Sequence, residues 1–303
     1  MKNTLISIVT PVYNCEDYIK ECVDSILNQT YINFEYFVIN DGSTDNTLKI
    51  LNSYNDDRLK VISQKNQGQS VALNYGWSLC KGDYLCYLSA DDIFYKDFLL
   101  KSLDFINSNK GFSVYYCDYN LINSTSEIIR KFTTKDFSEK IMLIDLVCFP
   151  GPGAIFSNIN FKKLGGWDKS LKYLPDFEFW LRMLQNGPFI RQPNCLAGYR
   201  IHSQSNHVKI VSIEQANEMF NVMLDFWSFS RLSVDIKYMK KSLSMSALLT
   251  AKVHIKSERI LLGLKYIIRS LNYDKMKLFS VSFYRSIMSS FYRLFYRRLF
   301  FKK

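Results

Sequence analysis

Tyr84-Leu85-Cys86-Tyr87-Leu88-Ser89-Ala90-Asp91-Asp92 is an apolar, aromatic run that ends in two adjacent carboxylates. The run reads as a buried strand. Two like charges at its end repel each other and resist burial, and they are tolerated in water or when a cation or a proton neutralises them. In an α/β protein, ligands bind outside the carboxyl ends of the strands. A divalent metal holding a phosphate-bearing ligand is the chemistry that asks for such a pair. Capping of the next helix accounts for one aspartate and leaves the other unexplained.

Outward from this run, strands and helices alternate with short connections. Leu5–Thr10 is β-branched and ends at Pro11; Asp17–Gln29 has helical periodicity; Glu35–Asn40 is a second strand before Asp41-Gly42-Ser43. A helix over Thr47–Asn52, a strand over Leu59–Ser63 and a helix over Gln69–Cys80 lead to the strand Tyr84–Leu88. This alternation predicts an α/β fold with a mostly parallel central sheet. Phe112–Tyr116 and Ala154–Ser157 read as further strands and Asp176–Gln185 as a helix, while Ile129–Phe149 shows no clear period. From residue 212 the pattern changes to helices with apolar faces, over Glu214–Phe229, Val234–His254, Glu258–Leu271 and Ser282–Phe301. The expected organisation is an α/β domain over residues 1–211 and a basic helical C-terminal region over residues 212–303.

The net charge of +11 is unevenly placed. Residues 212–303 carry 17 basic and 6 acidic residues and hold all of the excess, which suggests an acidic partner, either a membrane surface or a nucleic acid. The 7 cysteines form no C-x-x-C pair and read as reduced thiols. No leader is expected before the first strand, and no apolar stretch is long enough to span a bilayer. The first turn, Thr10-Pro11-Val12-Tyr13-Asn14, contains no glycine, which argues against a nicotinamide or flavin dinucleotide site.

Four segments then fall in order at the ends of alternating strands: Ser7–Asn14, Val38–Asp45, Asn66–Asn74 and Leu88–Asp92. Together, over residues 4–205, they resemble the inverting family-two nucleotide-sugar glycosyltransferases of the GT-A fold, of the bacterial surface-polysaccharide type. The resemblance implies an enzyme that transfers a sugar from a nucleotide diphosphate donor, a UDP-sugar, to a hydroxyl of a glycan or lipid-linked acceptor, with Mn²⁺ or Mg²⁺ as cofactor. It assigns base contact to Asp41, flanked by Pro11 and Tyr13; an Asx turn before Gly42 is the alternative for Asp41. Asn66 and Gly68 open a helix whose free N–H groups suit a diphosphate or ribose hydroxyls. By the family pattern Asp92 is the metal ligand and Asp91 lies near the ribose or a metal-bound water. Many relatives have Arg where this chain has Leu73 and Asp where it has Ser89.

Leu174–Arg182 resembles the family's acidic segment. Asp176 is the expected general base, with N-capping as its competing role and Glu178 as the second candidate. Gly153, Trp167 and Asp168 belong to two glycine clusters on the acceptor side, where the indole suits sugar stacking or, equally, core packing. Tyr199–Ser205 resembles the end of the family's catalytic domain; there His202 is a candidate metal or diphosphate ligand and Arg200 a candidate for offsetting leaving-group charge.

Residues 285–303 interleave cations with aromatics and leucines and resemble an interfacial anchor; a helix packed on its neighbours with a solvated basic face and a nucleic-acid-binding tail are the alternatives, and the family's lipid-linked acceptors favour the anchor. The expected location is cytoplasmic, peripheral at the inner face of the cell membrane, with no nucleic-acid partner. Two rival functions remain: a catalytically inactive, membrane-associated scaffold, and a sugar-1-phosphate nucleotidyltransferase. The second would want a Gly-rich, basic loop after the first strand, which Pro11-Val12-Tyr13-Asn14 does not supply.

Overall fold

The computed structural model describes residues 4–202, 211–230, 236–285, 287–289 and 292. The chain divides into two compact units, one built from residues 1–137, 148–169 and 175–205, the other from 138–147, 170–174 and 206–303.

The first unit is organised on a nine-stranded sheet. Its first half follows the alternation read from the sequence: β1 (Ile6–Val12), α1 (Ile19–Leu27), β2 (Phe34–Asn40), α2 (Thr47–Leu51), β3 (Leu59–Ser63), α3 (Gln69–Leu79) and β4 (Tyr84–Tyr87). β5 (Ile93–Phe94), α4 (Phe98–Ser108), β6 (Val114–Ile122) and β7 (Ile128–Phe132) follow, and then β8 (Ile155–Ser157), α6 (Asn158–Leu164), α7 (Pro175–Leu184) and β9 (Phe189–Arg200). α5 (Glu139–Ile144) lies in the second unit. The strand order is β3-β2-β1-β4-β8-β6-β9-β5, with β7 on β6. β3, β2, β1 and β4 are parallel, as is β6 with β9; the other pairings are antiparallel.

Both faces of β1 and β2 are covered, and every residue of the two strands is buried. That is why they read as continuous apolar runs. α3 lies on them at Gly76, where a Cβ would come 2.4 Å from Val9 Cγ1 and 3.1 Å from Ile39 Cγ1. Pro11 sits inside β1, beyond the strand end expected from the sequence. The β1–β4 pairing stops at Val9↔Tyr87, so the N–H that Pro11 lacks faces a side where β4 has already ended.

The path from β1 goes outward to β2 and β3, then returns to β4 on the other side of β1. The carboxyl ends of β1, β2 and β4 therefore flank a topological switch point, the crevice where such sheets hold ligands. Tyr13, Asp41 and the pair Asp91-Asp92 follow these three strand ends. β9 brings the chain back to the same region. Its pairing with β6 jumps from Cys117↔Gln192 to Asp118↔Cys195, so Pro193 and Asn194 fall in a bulge and the proline blocks no ladder bond.

The second unit contains α5, α8 (Ile213–Phe229), α9 (Ile236–Lys256), α10 (Ile260–Tyr273) and a short 3₁₀ turn, Lys275–Phe279. Ser212 and Gln215 cap α8 reciprocally, each side chain bonding the other's backbone N–H. α9 and α10 approach closely through small residues: Ser244 Oγ donates to Ser270 O at 2.7 Å, and Ser270 Oγ returns a bond to Ser244 O at 2.6 Å. The unit reaches back in sequence to 138–147 and 170–174, which the boundary at residue 211 does not anticipate. Those pieces belong to it because α5 packs on α9 and the buried Glu218 carboxylate accepts the amides of Lys172, Tyr173 and Leu174. No helix among the described residues is long and apolar enough to cross a membrane. The anchor expected over 285–303 lies largely outside the described residues.

Candidate functional site

The loops after β1 and β2 are tied to each other. Asn14, in the left-handed region at φ 47°, receives Thr44 N–H on Oδ1 at 2.7 Å, and its own N–H bonds Ser43 Oγ at 3.0 Å. Pro11 is buried within the strand; Tyr13, 50% exposed, stands at the mouth of the crevice. Asp41 is buried and its carboxylate accepts three hydrogen bonds: from Gln64 Nε2 at 2.7 Å, Gln67 N–H at 2.9 Å and Gly68 N–H at 2.7 Å. The amides around Gly68 are thus not the open anion nest that the sequence offered, because a protein carboxylate already fills it. Asn66 is exposed, and its backbone N lies so close to Gly42 that a Cβ there would sit at 2.9 Å. A carboxylate has about four acceptor sites, so Asp41 keeps one for a further donor.

Asp91 and Asp92 follow β4 as expected. Asp92 is buried at 3% exposure, and its Oδ1 accepts the backbone N–H of Arg200 at 2.8 Å. Burial first, and the Asp91 charge second, push its carboxyl well above the usual aspartate range. A site that penalises its own carboxylate in this way is suited to a cation. The hard oxygen donors of the aspartate pair fit Mn²⁺ or Mg²⁺. Among the described residues no three of His, Cys, Asp and Glu converge as a closed metal cage would require, so the fit is to an open site completed by phosphate and water. His202 is held nearby, but it is directed at Asp91: its Nε2 lies 3.1 Å from Asp91 Oδ2 and its ring packs on Tyr18.

Arg200 departs from its expected role. Its guanidinium is fully buried and faces the protein. Nε donates to Asp91 O at 2.7 Å, Nη1 to Asn123 O at 2.8 Å and to Ser126 Oγ at 2.9 Å, and Nη2 to Glu21 Oε2 at 2.6 Å, with Tyr18 beneath the plane. Four of its five N–H donors are engaged by the protein and none of the side chain is exposed, so it does not face a leaving group. It acts as a strut beneath the aspartates, and its backbone N–H is the part that touches Asp92. Glu21, Ser126 and Tyr18, all missed by sequence reasoning, complete this strut; they lie far from Arg200 in sequence and match no motif.

Asp176 opens α7, with Pro175 as the first helical residue, and its Oδ1 accepts the N–H of Phe177 at 2.8 Å. Burial raises its pKa. Tyr87 and Tyr199 lie within electrostatic reach of both Asp176 and Asp92, which places the candidate base and the aspartate pair around one region. Glu178 is excluded from that role by its partner. Arg182 grips both its oxygens, at 2.6 and 2.7 Å, and holds Leu164 O and Gly166 O with its remaining donors.

The acceptor-side candidates separate. Trp167 is 5% exposed and packs edge-on against Trp77 and Tyr87, so its ring faces are not offered to a sugar. Its backbone is clamped by Asn74, whose Oδ1 accepts Trp167 N–H at 2.8 Å and whose Nδ2 donates to Trp167 O at 2.7 Å. A Cβ on Gly166 would lie 2.0 Å from Asn74 Oδ1. Asn74, read from the sequence as a plain helical residue, is thus a structural lock. Gly153, at φ 90°, is buried against Cys117 Sγ and Phe98, where a Cβ would stand at 2.7 and 3.0 Å. It allows close core packing and offers no backbone to an acceptor. Asp168 is exposed.

The chain resembles known proteins in sequence and in fold. The model of glycosyl transferase family 2 matches residues 7–163. The chain is 34% identical over 230 residues to an uncharacterized glycosyltransferase of Rickettsia typhi, covering 73% of this chain and 71% of that one. It is 30% identical over 233 residues to a chondroitin synthase of Escherichia coli, covering 76% of this chain but 33% of the synthase. Among solved structures, TarS 1-349 of S. aureus in complex with UDP-GlcNAc superposes with a TM-score of 0.61 at 19% identity, over 89% of this chain and 91% of that one. A mannosyltransferase of Pyrobaculum calidifontis in complex with GDP-Man and Mn²⁺ superposes with a TM-score of 0.62 at 15% identity, over 98% of this chain and 88% of that one.

Proposed function

The chain belongs to glycosyl transferase family 2, and from that premise we propose that it transfers a sugar, with inversion, from a UDP-sugar to a hydroxyl of a glycan or lipid-linked acceptor in surface-polysaccharide synthesis. The carrying observation is the juxtaposition of the buried Asp92, its neighbour Asp91 and the desolvated Asp176 around the β1/β4 switch point. UDP is favoured over other nucleotides by Asp41, whose remaining acceptor site matches the imide N–H of uracil; TarS, similar in fold, binds UDP-GlcNAc. With a lipid-linked acceptor the reaction would take place at the inner face of the cell membrane.

The residues divide the chemistry. Asp92 would hold Mn²⁺ or Mg²⁺, with Asp91 beside it and His202 steadying Asp91. When bound, such an ion neutralises the charge that develops on the leaving diphosphate. Arg200 and Glu21 fix the aspartate pair from below. Asp176 takes the proton from the acceptor hydroxyl as its oxygen attacks the anomeric carbon from the face opposite the diphosphate. The new C–O bond forms as the bond to the diphosphate breaks, and the nucleoside diphosphate leaves with the electron pair. Burial of Asp176 strengthens it as a base.

Calorimetric titration of UDP into the protein, with and without Mn²⁺, tests this reading. Metal-dependent binding that disappears in Asp92→Ala is expected. Equal binding by Asp92→Ala and wild type would remove the metal assignment, and UDP-sugar turnover undiminished in Asp176→Asn would remove the base.

A further inference from the structure

Among the described residues, one side of α10 has no protein partner. Leu261, Leu264 and Ile268 recur at helical spacing along it, with Leu261 83% and Ile268 61% exposed. The opposite side, Gly263, Tyr266 and Ser270, is buried within the unit. Past the helix, the 3₁₀ turn adds the exposed Met276 and Phe279, and Val281 follows. Apolar side chains exposed in such succession mark a contact surface and are unlike the scattered apolar residues of an ordinary exterior. Cations are set among them. Residues 260–281 contain Lys265, Arg269, Lys275 and Lys277 against a single acid, Asp274. Arg269 is turned back over the rings of Phe220 and Tyr266, and Asp274 caps the 3₁₀ turn through Met276 N–H. Lys265 and Lys275 are exposed beside the apolar strip. The ammonium of Lys277 is buried with no hydrogen-bond partner among the described residues, and that burial lowers its pKa to about 8.

We propose that this face, Leu261–Leu264–Ile268, docks the protein flat onto an anionic lipid surface. An amphipathic helix lying in the interface buries its apolar stripe at the acyl boundary and places flanking cations among the headgroups. Charge selects this occupant. All of the +11 net charge falls after residue 211, so a second copy would bring the same sign against this face. The chain's own residues 285–303 are also cationic, with no acid among them. A bilayer rich in anionic lipid satisfies the strip and the cations together. The docking concerns the second unit alone and stands or falls independently of the catalytic reading.

The test is sedimentation of the full chain with vesicles of phosphatidylcholine alone or with about 30 mol % phosphatidylglycerol, a composition in which each exposed cation adds to the attraction. Wild type is expected to pellet with the anionic vesicles only, and less so in high salt. The double substitution Leu264→Asp and Ile268→Asp, on exposed positions and checked for an unchanged helical dichroism spectrum, should weaken binding roughly tenfold or more. Three results would overturn the proposal. One is equal binding to neutral and anionic vesicles. Another is unchanged binding by the double variant, which would place the contact in 285–303. The last is a dimer in light scattering that the double variant abolishes.

Discussion

Replacing Arg200 by lysine separates its two possible roles. A residue that met the leaving group would tolerate lysine's charge and lose activity only in part, with the fold unaffected. A strut would not tolerate it. The guanidinium makes four hydrogen bonds that diverge toward Asp91 O, Asn123 O, Ser126 Oγ and Glu21. An ammonium is a point donor and cannot meet partners spread around a planar fork. Loss of two of the four, at about 1–1.5 kcal/mol each, gives a destabilisation of about 2–3 kcal/mol. For a domain of this size that corresponds to a fall in Tm of roughly 4–10 °C. Glu21→Gln should cost less, about 1 kcal/mol, because the Glu21 side chain is 44% exposed and solvent screens the pair. Both variants should weaken Mn²⁺-dependent UDP binding measured well below their Tm, since the Arg200 amide that bonds Asp92 is loosened in each. Thermal unfolding and calorimetry on the same preparations decide the matter. An Arg200→Lys protein with wild-type Tm and reduced turnover would refute the strut and restore a direct contact with the donor.

Further outcomes follow from the geometry. Asp176→Asn should lower kcat by roughly 10²–10⁴-fold, the usual worth of a positioned base, with UDP affinity unchanged by calorimetry. Because burial raises the Asp176 pKa, its contribution to stability is present below the ordinary value of 3.8 and is lost as pH rises through the higher folded value. Urea midpoints should therefore show Asp176→Asn more stable than wild type at pH about 7 and equal to it once Asp176 is protonated in both the folded and the unfolded wild type. Asn74→Ala removes both bonds to the Trp167 backbone and should cost about 2–4 kcal/mol by chemical denaturation, whereas Trp167→Phe should leave the acceptor KM within about twofold, as expected of a packed ring. Gly153→Ala, with its strained φ and a Cβ 2.7 Å from Cys117 Sγ, should lower the unfolding midpoint without changing acceptor KM.

The sheet's first half was legible because β1 and β2 are buried on both faces and read as continuous apolar runs, with short connections between strand and helix. Leu59–Ser63 is the strand read from the sequence, residue for residue. β9 was hidden by Pro193, which reads as a strand breaker until the bulge against β6 is seen. β5 has two residues and leaves no periodic trace. α4 carries a plain helical period in Phe98, Leu99, Ser102, Leu103 and Ile106 and was within reach of the sequence. In the site, the aspartates announced themselves through the cost of placing two charges at the end of a buried strand. Side-chain direction could not be read in the same way. An indole after two glycines looks alike whether it is packed or presented, and an arginine near an acidic motif looks alike whether it points at the ligand or away from it. Only the contacts with Tyr87 and Trp77, and with Glu21, decide these two cases.

Those contacts carry one more consequence. The sequence offers a diphosphate the amides near Gly68, Arg200 and His202, and it has Leu73 where many relatives have Arg. The amides of Gln67 and Gly68 are bonded to Asp41, Leu73 is fully buried, and Arg200 is paired with Glu21. His202 faces Asp91, so among the described residues none of these is open to neutralise phosphate charge, and Asp91 and Asp92 would repel it. Under the proposed function the attraction comes through a cation held at Asp92. Without metal, uridine and UDP should bind with nearly equal affinity, since base and ribose contacts are all that remain. With Mn²⁺, UDP should gain roughly 100-fold over uridine, about 2.7 kcal/mol, and that gain should vanish in Asp92→Ala. Calorimetry with the two ligands in chelator and in Mn²⁺ measures it. A metal-free protein that already prefers UDP by such a margin would show that a protein cation reaches the diphosphate after all.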